Sequence, residues 1–287
     1  MAKEISIIGG DLRIIKLAIM LSEDNYKIYT YGMEKTEILN EKIVKCNSLK
    51  EAVYASNIIV SAIPFSKNGE QINCSFSDNL IDVKEFIETT KDKIVIAGAI
   101  NSEITQKLEK KNNKVIDILQ KEELTILNAV ATAEGALQIA LEETEYTIHE
   151  SKILILGFGR IGKILSKILK GMGAKVYCEA RKKSDLAWIK AYGYYPVEIK
   201  DLEKNLNMFN LIFNTVPFIL LNNNNLVKIN KDCLIIDLAS NPGGVDQVKA
   251  KELDLKYISA LALPGKVAPI TAAKYIKETI YNILEEV

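Results

Sequence analysis

Short runs of apolar residues recur along the chain, separated by stretches in which apolar positions repeat about every 3.6 residues. In the first half, the runs cover residues 5–10, 27–31, 57–63, 93–98 and 114–118. In the second half, they cover residues 153–156, 175–178, 194–199, 211–216, 233–239 and 257–263. Strands buried on both faces produce such continuous runs, whereas amphipathic helices produce the longer period. The alternation predicts an α/β fold with two doubly wound parallel-sheet domains.

A long helical pattern over residues 128–143 separates the two halves and predicts a bridging helix. We therefore expect a substrate or partner domain over residues 1–127 and a dinucleotide-binding domain over residues 128–269. The apolar C-terminal helix, residues 270–287, is a candidate to pack back onto the first domain. Two polar segments are expected to be loops: residues 65–80, a candidate lid or cleft wall, and the asparagine run 222–225.

The motif G-x-G-x-x-G is formed by Gly157, Gly159 and Gly162. It follows an apolar run and opens an amphipathic stretch that leads to the next run, which is the strand–helix–strand order of a Rossmann dinucleotide site. The first glycine permits a tight turn, the second lets a pyrophosphate approach the backbone, and the third lets helix and strand pack closely. The alternative is a glycine-rich turn without a ligand. We predict that the whole loop, including Phe158, Arg160 and Ile161, binds the dinucleotide.

The end of the second Rossmann strand indicates which nicotinamide cofactor binds. NAD-specific sites carry an acidic residue about 20 positions after the motif, but the count places Ala180 there, followed by a basic turn. In that turn Arg181 can hold a 2′-phosphate bidentately, with Lys182 and Ser184 as further donors. Glu179 lies one position early, and strand alternation turns it to the opposite face. We predict NADP(H); the alternative is a solvated basic turn.

Composition excludes several other functions. The 37 basic residues balance 37 acidic ones, which gives no reason to expect nucleic acid or an acidic membrane as a partner. No apolar run is expected to reach the length of a membrane span, and the N-terminus carries no signal peptide. Four scattered cysteines fit a reduced cytoplasmic setting and provide no zinc site. His149 is the single histidine, so imidazole acid–base catalysis is not expected.

Ligands of open α/β sheets bind beyond the carboxyl ends of the strands. The cofactor is therefore also expected to meet two segments that follow strands, Thr215-Val216-Pro217 and Leu238-Ala239-Ser240. A substrate between the halves would meet Asp11, Arg13, Thr132, Glu134, Asn241 and Lys266. For each of these residues the alternative is a helix cap, a turn residue or a solvated charge.

The two-domain plan resembles the D-2-hydroxyacid dehydrogenases, but two of their functional residues are missing. Where that family carries an arginine after a strand and a histidine after a proline, this chain has Ser240 and Gly265. Without them, hydride transfer to a keto acid has no proton donor. The scaffold therefore resembles that family, while a different reaction is expected.

Nearly the whole chain resembles the family of dipicolinate synthase A subunits. The resemblance is carried by the motifs Gly9-Gly10-Asp11-x-Arg13, Asn128-x-x-x-Thr132-x-Glu134-Gly135, Tyr146-Thr-Ile-His149, Ala180-Arg181, Asn214-Thr-x-Pro217, Asp237-Leu-Ala-Ser240-x-Pro-Gly-Gly244 and Leu263-Pro-Gly-x-Val-Ala-Pro269. The sequence departs from the family at Asn241, commonly arginine, and at Ile270, commonly lysine. The first departure weakens a carboxylate-binding role for position 241.

The resemblance implies a sporulation enzyme of the mother-cell cytoplasm, on a branch of the lysine/diaminopimelate pathway. With a flavoprotein-like B subunit it would oxidise dihydrodipicolinate to dipicolinate, with NADP accepting the hydride. We assign Arg13 and Lys266 to the substrate carboxylates and Glu134 or Asp11 to the proton, with Thr132 beside them. The alternatives are another NADP-dependent dehydrogenase of an amino or keto acid and a non-catalytic NADP-binding protein. A homodimer is expected by analogy alone.

Overall fold

The computed structural model describes residues 3–37 and 40–286, which form two compact units. Unit 1 contains Met1–Leu127 and Ala268–Val287, and unit 2 contains Asn128–Val267. Each unit is built on a parallel six-stranded sheet covered by helices. The α/β class with two doubly wound parallel sheets is therefore confirmed.

The main sheet of unit 1 has the order β3-β2-β1-β4-β7-β8. Its strands are β1 (Glu4–Ile8), β2 (Lys27–Tyr31), β3 (Ile43–Lys45), β4 (Ile58–Ser61), β7 (Ile94–Ala97) and β8 (Lys114–Asp117). The shorter strands β5 (Gln71–Ile72) and β6 (Ile81–Asp82) pair with each other in antiparallel fashion. The helices are α1 (Leu12–Glu23), α2 (Leu49–Ala55), α3 (Val83–Thr89), α4 (Ser102–Glu109) and α12 (Pro269–Glu285).

The C-terminal helix α12 packs against α1 in the core of unit 1. Its Ala273, Ile276 and Ile280 are buried in the same apolar cluster as Ile14 and Leu17 of α1. At the rim of this contact, Lys277 donates a 2.7 Å hydrogen bond to Asp24, and the Tyr26 and Tyr281 rings stack with their centroids 5.9 Å apart. The end of the chain is thus part of the first core.

Unit 2 repeats the strand order of unit 1, as β11-β10-β9-β12-β13-β14. Its strands are β9 (Lys152–Leu156), β10 (Lys175–Ala180), β11 (Tyr195–Glu198), β12 (Leu211–Asn214), β13 (Leu234–Asp237) and β14 (Lys256–Ser259). Its helices are α6 (Arg160–Gly171), α7 (Lys183–Ala191), α8 (Leu202–Asn205), α9 (Asn223–Leu226), α10 (Gln247–Glu252) and α11 (Leu263–Val267). The strand order reverses between β9 and β12, where open α/β sheets bind their ligands.

Apolar side chains cover both faces of the unit 2 sheet, which explains its continuous apolar strands. In β9, Ile153 and Ile155 join one core cluster, while Leu154 and Leu156 join the cluster on the opposite face. The alternation along β10 places Cys178 and Ala180 on the first face and Tyr177 on the other. Glu179 lies on the same face of the sheet as Tyr177, as the alternation predicted.

The structure differs from the sequence-based expectations at three segments. The segment 65–80 is not a purely polar loop, because it contains β5 and buries Phe65 and Ile72 in the core. The asparagine run is not a loop: Asn222 caps the short helix α9, and its side chain accepts a hydrogen bond from the Asn225 amide at 3.2 Å. The bridging helix α5 (Glu122–Glu143) begins six residues before the expected start at 128.

By length and composition alone, α5 is apolar enough to cross a membrane. The expectation that no such run exists is therefore wrong for this helix, although the core helix of a soluble protein passes the same test. Ala133, Ala136 and Ala140 of α5 are fully buried in the core of unit 2. Packing within unit 2 thus accounts for the apolar residues on one face of this helix.

Candidate functional site

The three glycines of the G-x-G-x-x-G loop occupy three different environments between β9 and α6. Gly157 has a φ of +91°, and a Cβ on it would lie 2.7 Å from the Thr215 hydroxyl. A Cβ on Gly162 would lie only 2.2 Å from the Gly157 carbonyl oxygen, because the helix approaches the loop closely there. A Cβ on Gly159 would meet nothing within 4 Å. Two glycines are thus required by packing, while the middle one faces open space.

The open space at Gly159 lies at the beginning of α6, a 12-residue helix. Gly159 is its N-cap and provides no side chain to satisfy the first amide groups of the helix. Uncapped amides and the positive end of the helix dipole together form an anion site. The loop therefore has the form that a pyrophosphate requires.

A cavity of about 510 Å³ surrounds this loop and lies entirely within unit 2. It is lined by Gly157, Phe158, Gly159, Glu179, Ala180, Arg181, Lys182, Asp185, Thr215, Val216 and Pro217. Nine of these eleven residues belong to the predicted cofactor site. The other predicted residues, Arg160, Ile161, Gly162, Ser184, Leu238, Ala239 and Ser240, do not line it. Glu179 and Asp185 line the cavity but were not predicted.

The predicted cofactor residues differ in what they can offer to a ligand. Arg181 and Lys182 are exposed at the N-terminus of α7, where cationic side chains can reach the cavity. The Phe158 side chain is 6% exposed and packs in the core, so only its backbone is available. Leu238 and Ala239 are likewise buried.

Glu179 is the feature that sequence reasoning missed. Its side chain is 2% exposed, and its Oε1 has no hydrogen-bond partner among the described residues. Burial raises the pKa of this carboxyl, and the nearby Gly157 amide and Arg181 offset the effect only in part. Strand alternation correctly predicted that the Glu179 and Ala180 side chains lie on opposite faces of the sheet. It could not show that Glu179 also lines the cavity. An acidic group thus lies beside the basic turn.

A buried polar network connects the ends of β12 and β13. The Asn214 carboxamide donates to the Asp237 carboxylate at 2.7 Å and to the Val216 carbonyl at 3.0 Å. The same carboxylate accepts from the backbone amides of Ala239 and Gly244. The network therefore fixes both segments expected to meet the cofactor beyond these strands.

Two of the predicted catalytic residues lie beside one helix contact in unit 2. A Cβ on Gly135 of α5 would lie 3.1 Å from the Val267 side chain of α11, so the two helices approach closely there. Glu134 precedes Gly135 and Lys266 precedes Val267, and both are exposed. Thr132 differs, since its hydroxyl donates to the Asn128 carbonyl at 2.8 Å within the helix. Glu134 and Lys266 are thus available to a ligand.

Asp11 and Arg13 form an ion pair in unit 1. Asp11 is the N-cap of α1 and accepts from the Arg13 backbone amide, while the Arg13 guanidinium donates to both of its oxygens at 2.7–3.1 Å. The Arg13 side chain is only 7% exposed and also donates to the Ile63 carbonyl. Both charges are therefore largely engaged within the unit.

Other kinds of site find little support in the part of the chain described. Residues 3–37 and 40–286 contain no cluster of three or more His, Cys, Asp or Glu side chains that could hold a metal ion. All four cysteines are free, and burial raises the pKa of each thiol, to about 12 for Cys178 and Cys233. A larger cavity of about 700 Å³ in unit 1 is lined by surface side chains such as the ion pair of Lys107 and Glu103.

The fold and the glycine loop define a nicotinamide-dinucleotide-binding protein of the dehydrogenase type. Residues 128–242 match the family model described as D-isomer specific 2-hydroxyacid dehydrogenase, NAD binding domain. This match confirms the scaffold resemblance and supports an oxidoreductase. The structure and the match support a nicotinamide dinucleotide without distinguishing NADP from NAD.

Within that class, the whole chain is similar to the A subunit of dipicolinate synthase. Residues 4–119 match the family model for the N-terminal domain of the dipicolinate synthase A subunit. The A subunit of dipicolinate synthase from Bacillus subtilis (strain 168) is 28% identical over 99% of this chain and 96% of its own length. The resemblance inferred from the motifs is therefore confirmed.

Two solved structures agree with this result. The dipicolinate synthase A subunit of Bacillus halodurans has a TM-score of 0.89 at 28% identity, covering 98% of this chain and 97% of the other. The dipicolinate synthase A chain of Bacillus subtilis has a TM-score of 0.89 at 27% identity, covering 100% and 97%. Because the relatives are named as A subunits, their names imply that each has a partner protein.

Proposed function

We propose that this chain is the dinucleotide-binding component of a dipicolinate synthase and oxidises dihydrodipicolinate to dipicolinate. The observation that carries the proposal is the glycine loop, which opens onto a cavity edged by Arg181 and Lys182 in a chain similar throughout to the dipicolinate synthase A subunit. We further propose NADP as the hydride acceptor and the flavoprotein-like B subunit as the partner. By the same resemblance, the protein works in the cytoplasm of a sporulating mother cell.

The cavity residues fit a phosphorylated dinucleotide. Gly159 leaves room at the uncapped beginning of α6 for a pyrophosphate. Arg181 provides a planar group that suits a 2′-phosphate, and Lys182 adds a second positive charge. Bound there, the nicotinamide ring supplies a hydride acceptor. The protein's own contribution is to orient the cofactor and to hold substrate charge.

The reaction removes one hydride and one proton from the dihydropyridine ring, giving dipicolinate, NADPH and H⁺. Glu134 is the better candidate for the proton, because it is exposed and makes no hydrogen bond within the described residues. Asp11 is the weaker candidate, since both of its oxygens already accept from Arg13. An aromatic product makes the reaction downhill, so positioning is the main demand on the protein.

The groups proposed to bind substrate carboxylates differ in their exposure and in the hydrogen bonds that they already make. Lys266 is exposed and can move to meet an anion. The Arg13 guanidinium is buried and already donates hydrogen bonds to Asp11 and to the Ile63 carbonyl. It can therefore bind a substrate carboxylate only through its remaining N–H groups. Thr132 can accept a further hydrogen bond while its own proton is engaged.

The activity is tested by assaying the purified chain with and without the flavoprotein-like subunit, following dipicolinate absorbance and NADPH together. We expect both products to appear in equal amounts when the two proteins are combined. Turnover of amino or keto acids by the chain alone would instead indicate a different dehydrogenase. Cofactor binding without any hydride transfer, even in the combined assay, would indicate a non-catalytic role.

The cofactor preference is tested by measuring Kd for NADP(H) and NAD(H) in the parent and in Arg181→Ala. Loss of a charge-assisted phosphate contact should weaken NADP(H) binding about tenfold or more and leave NAD(H) binding nearly unchanged. Lys175→Ala is the control, because Lys175 is an exposed cation at the opposite end of β10. Equal affinities of the parent for both cofactors would refute the NADP preference.

The proton role is tested by steady-state kinetics of Glu134→Gln beside Glu143→Gln, an exposed glutamate at the end of the same helix. Proton transfer by a positioned carboxylate contributes about 100-fold or more to a rate. We expect a comparable loss of kcat in the first variant and none in the second. Unchanged turnover of Glu134→Gln would remove the role.

A further inference from the structure

The segment from α6 to α7 is strongly basic in a chain without net charge. Residues 160–190 contain nine Lys and Arg against two Asp and Glu, a net charge of +7 where the whole chain has zero. The acid Glu179 is buried, so Asp185 is the one acid of this segment that can reach the surface. The exposed surface of this segment is therefore strongly basic, although Lys183 is paired with Glu198.

Three lysines of this segment form a row on one face of α6. Lys163, Lys167 and Lys170 are spaced four and three residues apart, so they share a helix face, and all three are exposed. Within the described residues, none of them lies within ion-pair distance of a carboxylate. Lys170 donates to the Gly193 carbonyl at 3.1 Å, which joins the row to the turn after α7.

An aromatic cluster lies beside this lysine row. The Trp188 and Tyr192 rings stack with their centroids 5.3 Å apart, and Tyr192 lies 6.1 Å from Tyr194. Trp188 and Tyr192 are 54% and 53% exposed. The cluster continues inward to Phe158, whose ring lies 5.8 Å from the Lys163 ammonium. Trp188 and Tyr192 are thus largely exposed to solvent, although the cluster that contains them extends to the buried Phe158 ring.

We propose that this aromatic–lysine face, made of Lys163, Lys167, Lys170, Trp188, Tyr192 and Tyr194, is the docking surface for an acidic face of a partner protein. The assignment rests on the proposed function, under which that partner is the flavoprotein-like subunit. Trp and Tyr are the residues that most often dominate protein–protein binding energy. A surrounding row of unpaired cations selects an acidic partner and accelerates its association.

A protein occupant fits these observations better than a nucleic acid does. The charge of +7 in this segment is balanced by −7 in the rest of the chain, so a long polyanion would meet repulsion beyond the face. In addition, Trp188 and Tyr192 stack on each other, which leaves fewer free ring faces for bases. A compact acidic protein surface can contact the aromatic–lysine face without approaching the negative charge carried by the rest of the chain.

The test compares three charge versions of the full chain, and Trp188→Ala as a fourth, for binding to the purified flavoprotein-like subunit by isothermal titration calorimetry. The first is the parent, and the second is Lys163→Glu/Lys167→Glu/Lys170→Glu. The third is Lys231→Glu/Lys251→Glu/Lys256→Glu, which makes the same change in charge at three exposed lysines near the opposite edge of the sheet. Thermal unfolding and Kd for NADPH are measured on each version to exclude misfolding and loss of the cofactor site.

We expect the α6 triple variant to bind the flavoprotein-like subunit at least tenfold more weakly than the charge-matched control does. The parent complex should weaken with added salt more steeply than the residual complex of the α6 variant. Trp188→Ala, which removes an exposed ring without changing charge, should weaken binding about 30-fold if the ring is a binding hot spot.

Three results would overturn the assignment. The first is equal binding of the flavoprotein-like subunit by the α6 variant, the control and Trp188→Ala. The second is binding to anionic lipid vesicles or to mixed-sequence single-stranded DNA that depends on the three α6 lysines while binding of the protein partner does not. In the third, the flavoprotein-like subunit binds none of the versions, the parent included, and the partner in the proposed function is then wrong. Loss confined to the face variants would leave that partner standing and support the docking surface.

Discussion

The Asn214 carboxamide donates a 2.7 Å hydrogen bond to the Asp237 carboxylate across the ends of β12 and β13. The two residues are direct partners in the strand register and are 0% and 2% exposed. A Cβ on Gly244 would lie 2.1 Å from the Asn214 nitrogen, so the backbone closes tightly over the pair. This contact holds the segments 215–217 and 239–244 in place beyond the sheet.

Replacing Asn214 by alanine should therefore destabilise the protein and loosen the cofactor site. Asp237 would lose its side-chain donor while buried, which costs about 1–3 kcal/mol of unfolding free energy. Because Val216 lines the cavity, NADPH binding should also weaken. Urea unfolding and Kd measurements check both effects. The control is Asn224→Ala, an exposed asparagine of α9 that should change neither; equal losses in both variants would contradict the argument.

The glycine loop offers a matched pair of substitutions that separates folding from binding. In Gly162→Ala the new methyl would meet the Gly157 carbonyl at 2.2 Å, so α6 must shift. We expect a loss of about 1–3 kcal/mol of stability together with weaker NADPH binding. In Gly159→Ala the methyl enters open space, so stability should stay within about 0.5 kcal/mol while NADPH binding falls.

Gly171→Ala serves as the control for this pair, since a Cβ there meets nothing within 4 Å and the residue is the last of α6. It should bind NADPH like the parent. Calorimetric Tm and Kd are measured on all three variants. If Gly159→Ala bound NADPH with parental affinity, the pyrophosphate could not lie against that residue.

The ion pair of Asp11 and Arg13 predicts a loss of stability from a change that preserves the helix cap. Asp11→Asn keeps a good N-cap but leaves the Arg13 guanidinium, 7% exposed, without its counter-charge. We expect a loss of about 2–3 kcal/mol in urea unfolding, somewhat below the range for fully buried pairs because Asp11 is partly exposed. Asp246→Asn, at the N-cap of α10, removes a carboxylate that has no ion pair within residues 3–37 and 40–286, and it should be nearly neutral. Similar small losses in both would mean that Asp11 acts only as a cap.

Local patterns in the sequence were sufficient to predict much of this fold. Continuous apolar runs identified the long strands because both sheet faces are covered, as Ile153 and Leu154 show by joining opposite clusters. The glycine spacing identified the loop because Gly157 and Gly162 meet local steric demands, while Gly159 leaves open space at the beginning of α6. Ser48, directly before α2, has a side chain suited to a helix cap, and its hydroxyl accepts from the Glu51 amide at 3.1 Å.

Features that depend on distant partners were not predictable in the same way. The strand β3 has three residues without a buried side chain and exists through its pairing with β2. Phe65 and Ile72 lie in a polar segment and are buried by other parts of unit 1. Likewise, the sequence placed Glu179 on the correct strand face without showing that one of its oxygens would lack a partner beside the cofactor loop.

Glu179 gives the protein a pH dependence whose sign follows from its raised pKa. Burial raises the folded-state pKa above the ordinary value of 4.5, so the folded protein binds this proton more tightly than the unfolded chain does. Well below pH 4.5 the Glu179 carboxyl is protonated in both the folded and the unfolded protein, so its ionisation does not lower the free energy of unfolding. As the pH rises from 4.5 towards the folded pKa, the unfolded state ionises first, and the free energy of unfolding decreases.

Glu179→Gln should remove this loss while preserving the shape of the side chain. We expect the variant to have a higher Tm than the parent at pH 7, and the difference should shrink as the pH falls towards 4.5. Glu145→Gln, an exposed glutamate of the same unit, should show no such pH-dependent difference. Thermal unfolding from pH 4 to pH 8 checks the three proteins. A constant difference between Glu179→Gln and the parent over this range would show that burial does not raise the pKa of the Glu179 carboxyl.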